Sequence, residues 1–344
     1  MKSLLGELKN NFLATGVGSL PYLEAREALD FVFRAFSDHI PFWPQLPRRS
    51  FYENMYVQFS EKLPGLTINE SEKTISINTQ SEIYLAELET CFHKIESKDT
   101  DYFAISRLYA EGLYLLSERL KEGPAGGWIK AQVIGPISLG LSLLDEYKNP
   151  VLYNPEFEEF LPAFLSLKAA WIIRKIRQAS ADSKIIIFID EPYLVAVGTS
   201  QCSLSREVIK AKINQLVDVI HSQGALAGLH CCGNTDWELV METNIDILNF
   251  DAYGYLDKLF LYENALATFL KKGGIPAIGI VPNNEDLLEA GLEKELFKTL
   301  EQHASFLKNG ALITTSCGCS GLSVALTEKA HRLSVNLAER LASI

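Results

Sequence analysis

No run of about 20 apolar residues, the length a helix needs to cross a bilayer, occurs in this chain. The longest stretch without charge, Asn309–Thr327, is rich in Gly, Ser, Thr and Cys, and the apolar stretch Ala131–Leu144 is short and broken by Gly and Pro. Near the N-terminus, Glu7 and Lys9 interrupt what would be the apolar core of a signal peptide, so a cytoplasmic location is expected. Basic residues are in short supply: 32 Lys and Arg stand against 43 Asp and Glu, a net charge of −11. That excess repels phosphate backbones and anionic headgroups, so neither nucleic acid nor a membrane surface is expected as a partner. Six cysteines without an export signal read as reduced thiols, which excludes a disulfide scaffold. Internal repeats and low-complexity tracts are missing too. So is a Gly-rich phosphate loop, because Gly16 and Gly18 lack a third glycine and lead straight into Pro21.

What the chain has is 344 residues, 47% of them apolar, enough for a large core. From residue 128 onward, apolar runs of strand length alternate with longer amphipathic stretches. The runs are Trp128–Ile134, Lys184–Ile189, Ala225–Leu229, Ile245–Phe250, Ile275–Val281 and Ala311–Thr315. The helical stretches are Glu156–Gln178, Ser205–His221, Lys258–Lys271, Glu285–Leu307 and Val324–Leu341. Two N-terminal strand candidates, Leu13–Val17 and Ile40–Phe42, flank a helical segment, Tyr22–Phe36. Eight strands alternating with helices predict an α/β fold, a single (β/α)8 TIM barrel spanning residues 1–344. An insertion interrupts it at about 45–127, an interval of roughly 80 residues that is too many for one crossover. It reads as a hairpin, Leu66–Ile68 and Thr74–Ile77, followed by helices over Glu82–Ile95 and Tyr102–Leu120 and closed by Glu122–Gly127.

Function in such a barrel sits at the C-terminal ends of the strands. The first strand leads into Gly18-Ser19-Leu20-Pro21, the third into Gly135-Pro136, and the fourth into Asp190-Glu191-Pro192. The fifth leads into His230-Cys231-Cys232, the sixth into Asp251, the seventh into Pro282-Asn283-Asn284, and the eighth into Ser316-Cys317-Gly318-Cys319. In extended chain, residues two apart share a face at roughly 6.5 to 7 Å, so His230 and Cys232 can share a metal while Cys231 turns toward the helical layer. A third soft ligand would come from Cys317 or Cys319, which flank a glycine, and an oxygen ligand from Asp251. One imidazole with two thiolates selects zinc over magnesium or calcium. Each residue taken alone also fits ordinary core packing. Asp190, directly after a buried strand, needs a partner such as a ligand amine, a helix cap or a basic neighbour. Backbone N–H groups near Gly18 and Ser19 could face a carboxylate, or form a plain turn.

These strand ends, with His230-Cys231-Cys232-Gly233-Asn234 and Ser316-Cys317-Gly318 as the specific part, resemble the catalytic barrel of cobalamin-independent methionine synthase. The likeness extends to its zinc methyltransferase relatives in the uroporphyrinogen decarboxylase-like superfamily, and it covers nearly the whole chain in order. It implies zinc on His230, Cys232 and Cys317, with the substrate thiol bound as thiolate, and it favours Cys317 over Cys319. Asp251 stands where methionine synthase has a glutamate. Asp190 matches the aspartate that holds the homocysteine amino group, and the backbone around Gly18 and Ser19 would hold its carboxylate. The chain departs from the family in three places. A second, N-terminal barrel is not expected. No histidine follows the seventh strand, and Pro47-Arg48-Arg49-Ser50 lacks the acid that approaches homocysteine after the second. Single-barrel relatives take methyl from a corrinoid protein, and the same donor is expected here. Two rival readings are a metal-independent decarboxylase of uroporphyrinogen type and a non-catalytic barrel that binds zinc or a corrinoid partner.

Overall fold

The computed structural model describes residues 2–123 and 127–343. Pro124–Gly126, within the turn expected to close the insertion, lie outside the described residues. Nine strands occur among the described residues: β1 (Phe12–Ala14), β2 (Leu66–Asn69), β3 (Thr74–Ile77), β4 (Trp128–Ile134), β5 (Lys184–Asp190), β6 (Leu226–Cys231), β7 (Ile247–Phe250), β8 (Ile275–Val281) and β9 (Ala311–Thr315). Seven of them form one curled parallel sheet in the order β1-β9-β8-β7-β6-β5-β4, with helices packed around it, and β2 pairs with β3 as an antiparallel hairpin. This is the α/β, TIM-like barrel architecture read from the alternation.

The eighth position is filled differently from expectation. Ile40–Phe42 is not a strand; Phe42 forms a single bridge with Lys130. The segment still spans the gap between β1 and β4, because the Ile40 N–H donates to Ala14 O at 3.1 Å and the Trp43 N–H to Lys130 O at 2.9 Å. Pro41 and Pro44 carry no N–H, so a regular ladder cannot propagate through it. A second departure lies at Tyr102–Leu120, where the helix covers only Glu111–Lys121. The Ser106 N–H bonds to the Glu61 carboxylate, Tyr109 O accepts from Gln58 and Ile105 O from Tyr114, so tertiary partners replace the helical ones.

Both faces of the sheet are buried, which explains why strands such as Ile185–Ile189 read as continuous apolar runs. The outer face packs against helices with clear start signals. Asn154 caps the 25-residue helix Pro155–Ala179 through the Glu156 and Phe157 N–H groups, and Ser205 and Ser323 cap Arg206–Ser222 and Val324–Ala342. The inner face is graded along the strands. Trp128, Ile186, Phe188, Leu226, Ile247, Ile275, Ala277 and Leu312 fill its lower part as an apolar plug. Continuing the two-residue period upward, the same faces carry Lys130 and Gln132, Asp190, His230, Asn249 and Thr314, all buried. The strand period therefore delivers polar groups to the barrel mouth. No helix is long and apolar enough to cross a membrane among the described residues.

Candidate metal centre

His230 is the last inward-facing residue of β6. Its Nδ1 lies 2.6 Å from Asn249 Oδ1, whereas its Nε2 is buried with no hydrogen-bond partner. Cys232, two residues on, and Cys317, in the turn after β9, complete a group whose ligand atoms all lie within 4.8 Å of one another. A buried, orphaned imidazole nitrogen costs free energy unless something binds it, and two soft sulfur donors are what surrounds it. The His230-Cys232-Cys317 group could hold a metal, and a donor set of one imidazole and two thiols fits zinc.

The thiols are electrostatically unequal. The Cys317 S–H donates to Cys232 and His230 stands beside it, holding the Cys232 thiol far below its ordinary range, at about 4, despite burial. Cys317 keeps its proton and is pushed up by that same bond and by burial. Burial pulls His230 down, but Cys232 and Asp190 beside it more than offset this and leave its pKa raised.

The neighbouring cysteines face elsewhere. Cys231 is fully buried in the core of the helical layer, and Cys319 is 1% exposed with burial pushing its thiol up to about 12. Asp251 is not brought into the trio. It caps the helix Ala252–Leu259, its Oδ1 accepting from the Gly254 N–H at 2.8 Å, although its carboxyl is near enough to respond to Cys232 and His230.

Asp190 ends β5, level with His230 in the ladder. Its Oδ1 is buried without a partner, and burial raises the carboxyl to about 6 against the opposing pull of Lys130 and His230. Lys130 is fully buried, donates to Val17 O and to Gln132 Oε1, and is pulled down to about 8 by burial. Ser19 lies against the cysteine turn: the Cys319 N–H donates to Ser19 O at 2.8 Å, and a Cβ on Gly318 would stand 2.0 Å from Ser19 Oγ. A side chain there would push the Ser19 hydroxyl aside. Gly18 O accepts from the Gln45 N–H at 3.0 Å, which fixes the turn.

Glu191 explains Gly135-Pro136. Its carboxylate, fully buried, accepts from the Ile137 N–H at 3.0 Å, the Ser138 N–H at 2.7 Å and the Ser138 hydroxyl at 2.6 Å. It thereby caps the helix Pro136–Ser142 across the β4–β5 junction, and a Cβ at Gly135 would fall 2.0 Å from Glu191 Oε1. Glu191→Ala leaves these donors buried and unpaired, so we expect a loss of about 3 kcal/mol in unfolding free energy, read by urea denaturation. A loss below about 1 kcal/mol, that of one ordinary hydrogen bond, would contradict this.

No protein-family model matches the sequence, and no curated protein does. Among solved structures the chain is similar to a B12-independent methionine synthase from Shewanella sp. W3-18-1 in complex with selenomethionine, at 18% identity and a TM-score of 0.48, over 67% of this chain. The match spans 66% of that chain's length. It is also similar to a protein of Listeria monocytogenes described as a vitamin-B12 independent methionine synthase, at 12% identity and a TM-score of 0.49, over 96% of this chain and 98% of that one. Likenesses of this degree carry no argument about chemistry, which has to come from the site.

Three groups at the mouth escaped the sequence reading. Asn249 and Lys130 are polar residues at inward-facing positions of largely apolar strands, a signal that the two-residue period can find. Tyr56, from Met55–Gln58, packs edge-on against Tyr193 with ring centroids 6.2 Å apart, and burial together with Tyr193, Cys232, Glu191 and Asp190 raises its hydroxyl. Nothing local in the sequence marks it.

Proposed function

We propose that this chain is a zinc-dependent methyltransferase that moves a methyl group to a substrate thiol, homocysteine first among them, giving methionine. The observation that carries the reading is the buried, partnerless His230 Nε2 set against the Cys232 and Cys317 thiols. A metal-independent decarboxylase would leave that nitrogen and the two cysteines without a purpose. His230, Cys232 and Cys317 would hold the ion and leave a position open, the pattern of catalytic rather than structural zinc. Bound there, zinc lowers the pKa of a substrate thiol, so that the sulfur is nucleophilic at neutral pH.

The chain's own residues supply the rest. The orphaned Asp190 Oδ1 offers a negative acceptor to the substrate ammonium, and the turn at Gly18 and Ser19 lies beside the Cys317 turn, where it would face the carboxylate. Holding both ends of the acceptor aims its sulfur at the methyl donor, an orientation effect on an in-line displacement. Asp251, which caps the helix Ala252–Leu259, would have to leave the Gly254 N–H to add an oxygen ligand at the open position. For the donor we propose a methylcorrinoid protein. Of the six histidines only His230 stands at the strand ends, and Asn283, after β8, hydrogen-bonds the Ser316 hydroxyl and Gly318 O, so no imidazole is placed to protonate a folate leaving group.

Metal analysis after incubation with zinc tests the reading: about one zinc per chain is expected for a site of this kind. X-ray absorption should gain a sulfur neighbour on addition of homocysteine, and methyl transfer from a methylcorrinoid should exceed that from methyltetrahydrofolate. Less than about 0.2 zinc per chain, against the single ion such a site takes, would sink the proposal. A zinc site that no thiol enters would favour a binding role.

A further inference from the structure

Asn249 occupies the centre of the barrel, fully buried on β7 and level with His230 in the β6–β7 ladder. Every polar atom of its side chain is engaged. Its Nδ2 donates to Ala277 O at 2.9 Å and to Thr314 Oγ1 at 3.0 Å, and its Oδ1 lies 2.6 Å from His230 Nδ1. The Thr314 hydroxyl proton goes to Thr315 O at 2.9 Å, so Thr314 Oγ1 can only accept from Asn249. With two acceptors facing its nitrogen, the amide has one satisfying orientation, and its oxygen must then receive the proton of His230 Nδ1. The chain of bonds continues, since Thr315 Oγ1 donates to Cys317 O at 2.7 Å. It runs from the histidine on β6, through β7 and β9, to the turn that carries the second thiol.

We infer that Asn249, locked by Thr314, is a positioning residue that keeps the His230 proton on Nδ1 and presents the Nε2 lone pair to Cys232 and Cys317, thereby setting the affinity of the site for zinc. The inference rests on reading the trio as a zinc centre. It adds a residue that touches neither metal nor substrate. Metal-bound imidazoles commonly donate their second N–H to such a partner, and loss of the partner costs about 10- to 100-fold in metal affinity.

The test is the zinc dissociation constant of the full chain, measured by competition with a chromophoric chelator, beside the thermal midpoint of the metal-free protein. Asn249→Leu, close in size but unable to accept, should bind zinc about 10- to 100-fold more weakly. Asn249→Asp keeps an acceptor against Nδ1 and should recover most of the affinity. In the proton-detected 15N spectrum of the zinc-loaded protein, one histidine should show an Nδ1 proton protected from exchange by its hydrogen bond, and Asn249→Leu should abolish that protection. Thr314→Val removes one of the two acceptors that orient the amide, leaving Ala277 O alone, and should weaken zinc several-fold, which decides the matter should Asn249→Leu fail to fold. A purely structural Asn249 would shift the midpoint in both substitutions and leave zinc affinity unchanged. Wild-type affinity in Asn249→Leu, or in Thr314→Val, overturns this inference alone; an unmodified protein that takes no zinc defeats the zinc reading and this inference with it.

Discussion

Cys317→Ala should empty the zinc site, from about one ion per chain to below about 0.1 for a three-ligand centre reduced to two, while Cys319→Ala should leave it loaded. The two cysteines are two residues apart and flank a glycine, so their spacing alone does not separate them. The structure places them in different environments. The Cys317 thiol donates to Cys232 from a half-buried turn, where a cation held by both sulfurs would displace that proton to solvent. Cys319 lies in the core, and burial holds its thiol up at about 12, so ionising it near neutral pH is costly. Its removal deletes a small buried group and should cost about 1 kcal/mol of stability, of the order of one or two methylenes. Metal content by plasma mass spectrometry separates the variants, and cobalt substitution adds a second readout, because each thiolate contributes to the sulfur-to-cobalt absorption. Zinc lost from Cys319→Ala and kept by Cys317→Ala would overturn the assignment.

What could be read from the sequence follows from which interactions are local. The runs Trp128–Ile134, Ile275–Val281 and Ala311–Thr315 coincide with strands because burial on both faces demands unbroken apolar chain there. Ile40–Phe42 is apolar too but contains Pro41, and its role in bridging β1 to β4 depends on a few isolated hydrogen bonds with both neighbours, which no local pattern encodes. His230 and Cys232 were legible as a pair from the two-residue period alone. Joining Cys317 to them required knowing that strand ends converge on one mouth. Asp251 illustrates the opposite case: a carboxylate after a strand and before a helix satisfies the cap locally, and that local bond keeps it out of the trio. Glu191 shows why the neighbouring Asp190 was hard to place, since of two adjacent buried acids one takes three hydrogen bonds while the other retains an unpaired oxygen.

That unpaired oxygen yields the remaining large effect. Asp190→Asn should lower kcat/KM for homocysteine by roughly 30- to 4,000-fold, the range that follows from about 2 to 5 kcal/mol for truncating one partner of a buried, hydrogen-bonded charge pair. The carboxyl lies above fully buried Lys130, which favours its charged form, and beside His230. An ammonium arriving at Oδ1 satisfies a buried, unpartnered acceptor and adds a full charge pair in a largely buried site. The amide keeps the shape and presents an N–H donor or a neutral oxygen in place of the carboxylate. The control is an acceptor of the same length without the amino group, 4-mercaptobutanoate. In the unmodified protein homocysteine should be strongly preferred, and in Asp190→Asn the two acceptors should become nearly equivalent, with zinc content unchanged. Should Asp190→Asn slow both thiols by the same factor, the aspartate acts on the metal centre or the fold and the substrate amine is held elsewhere.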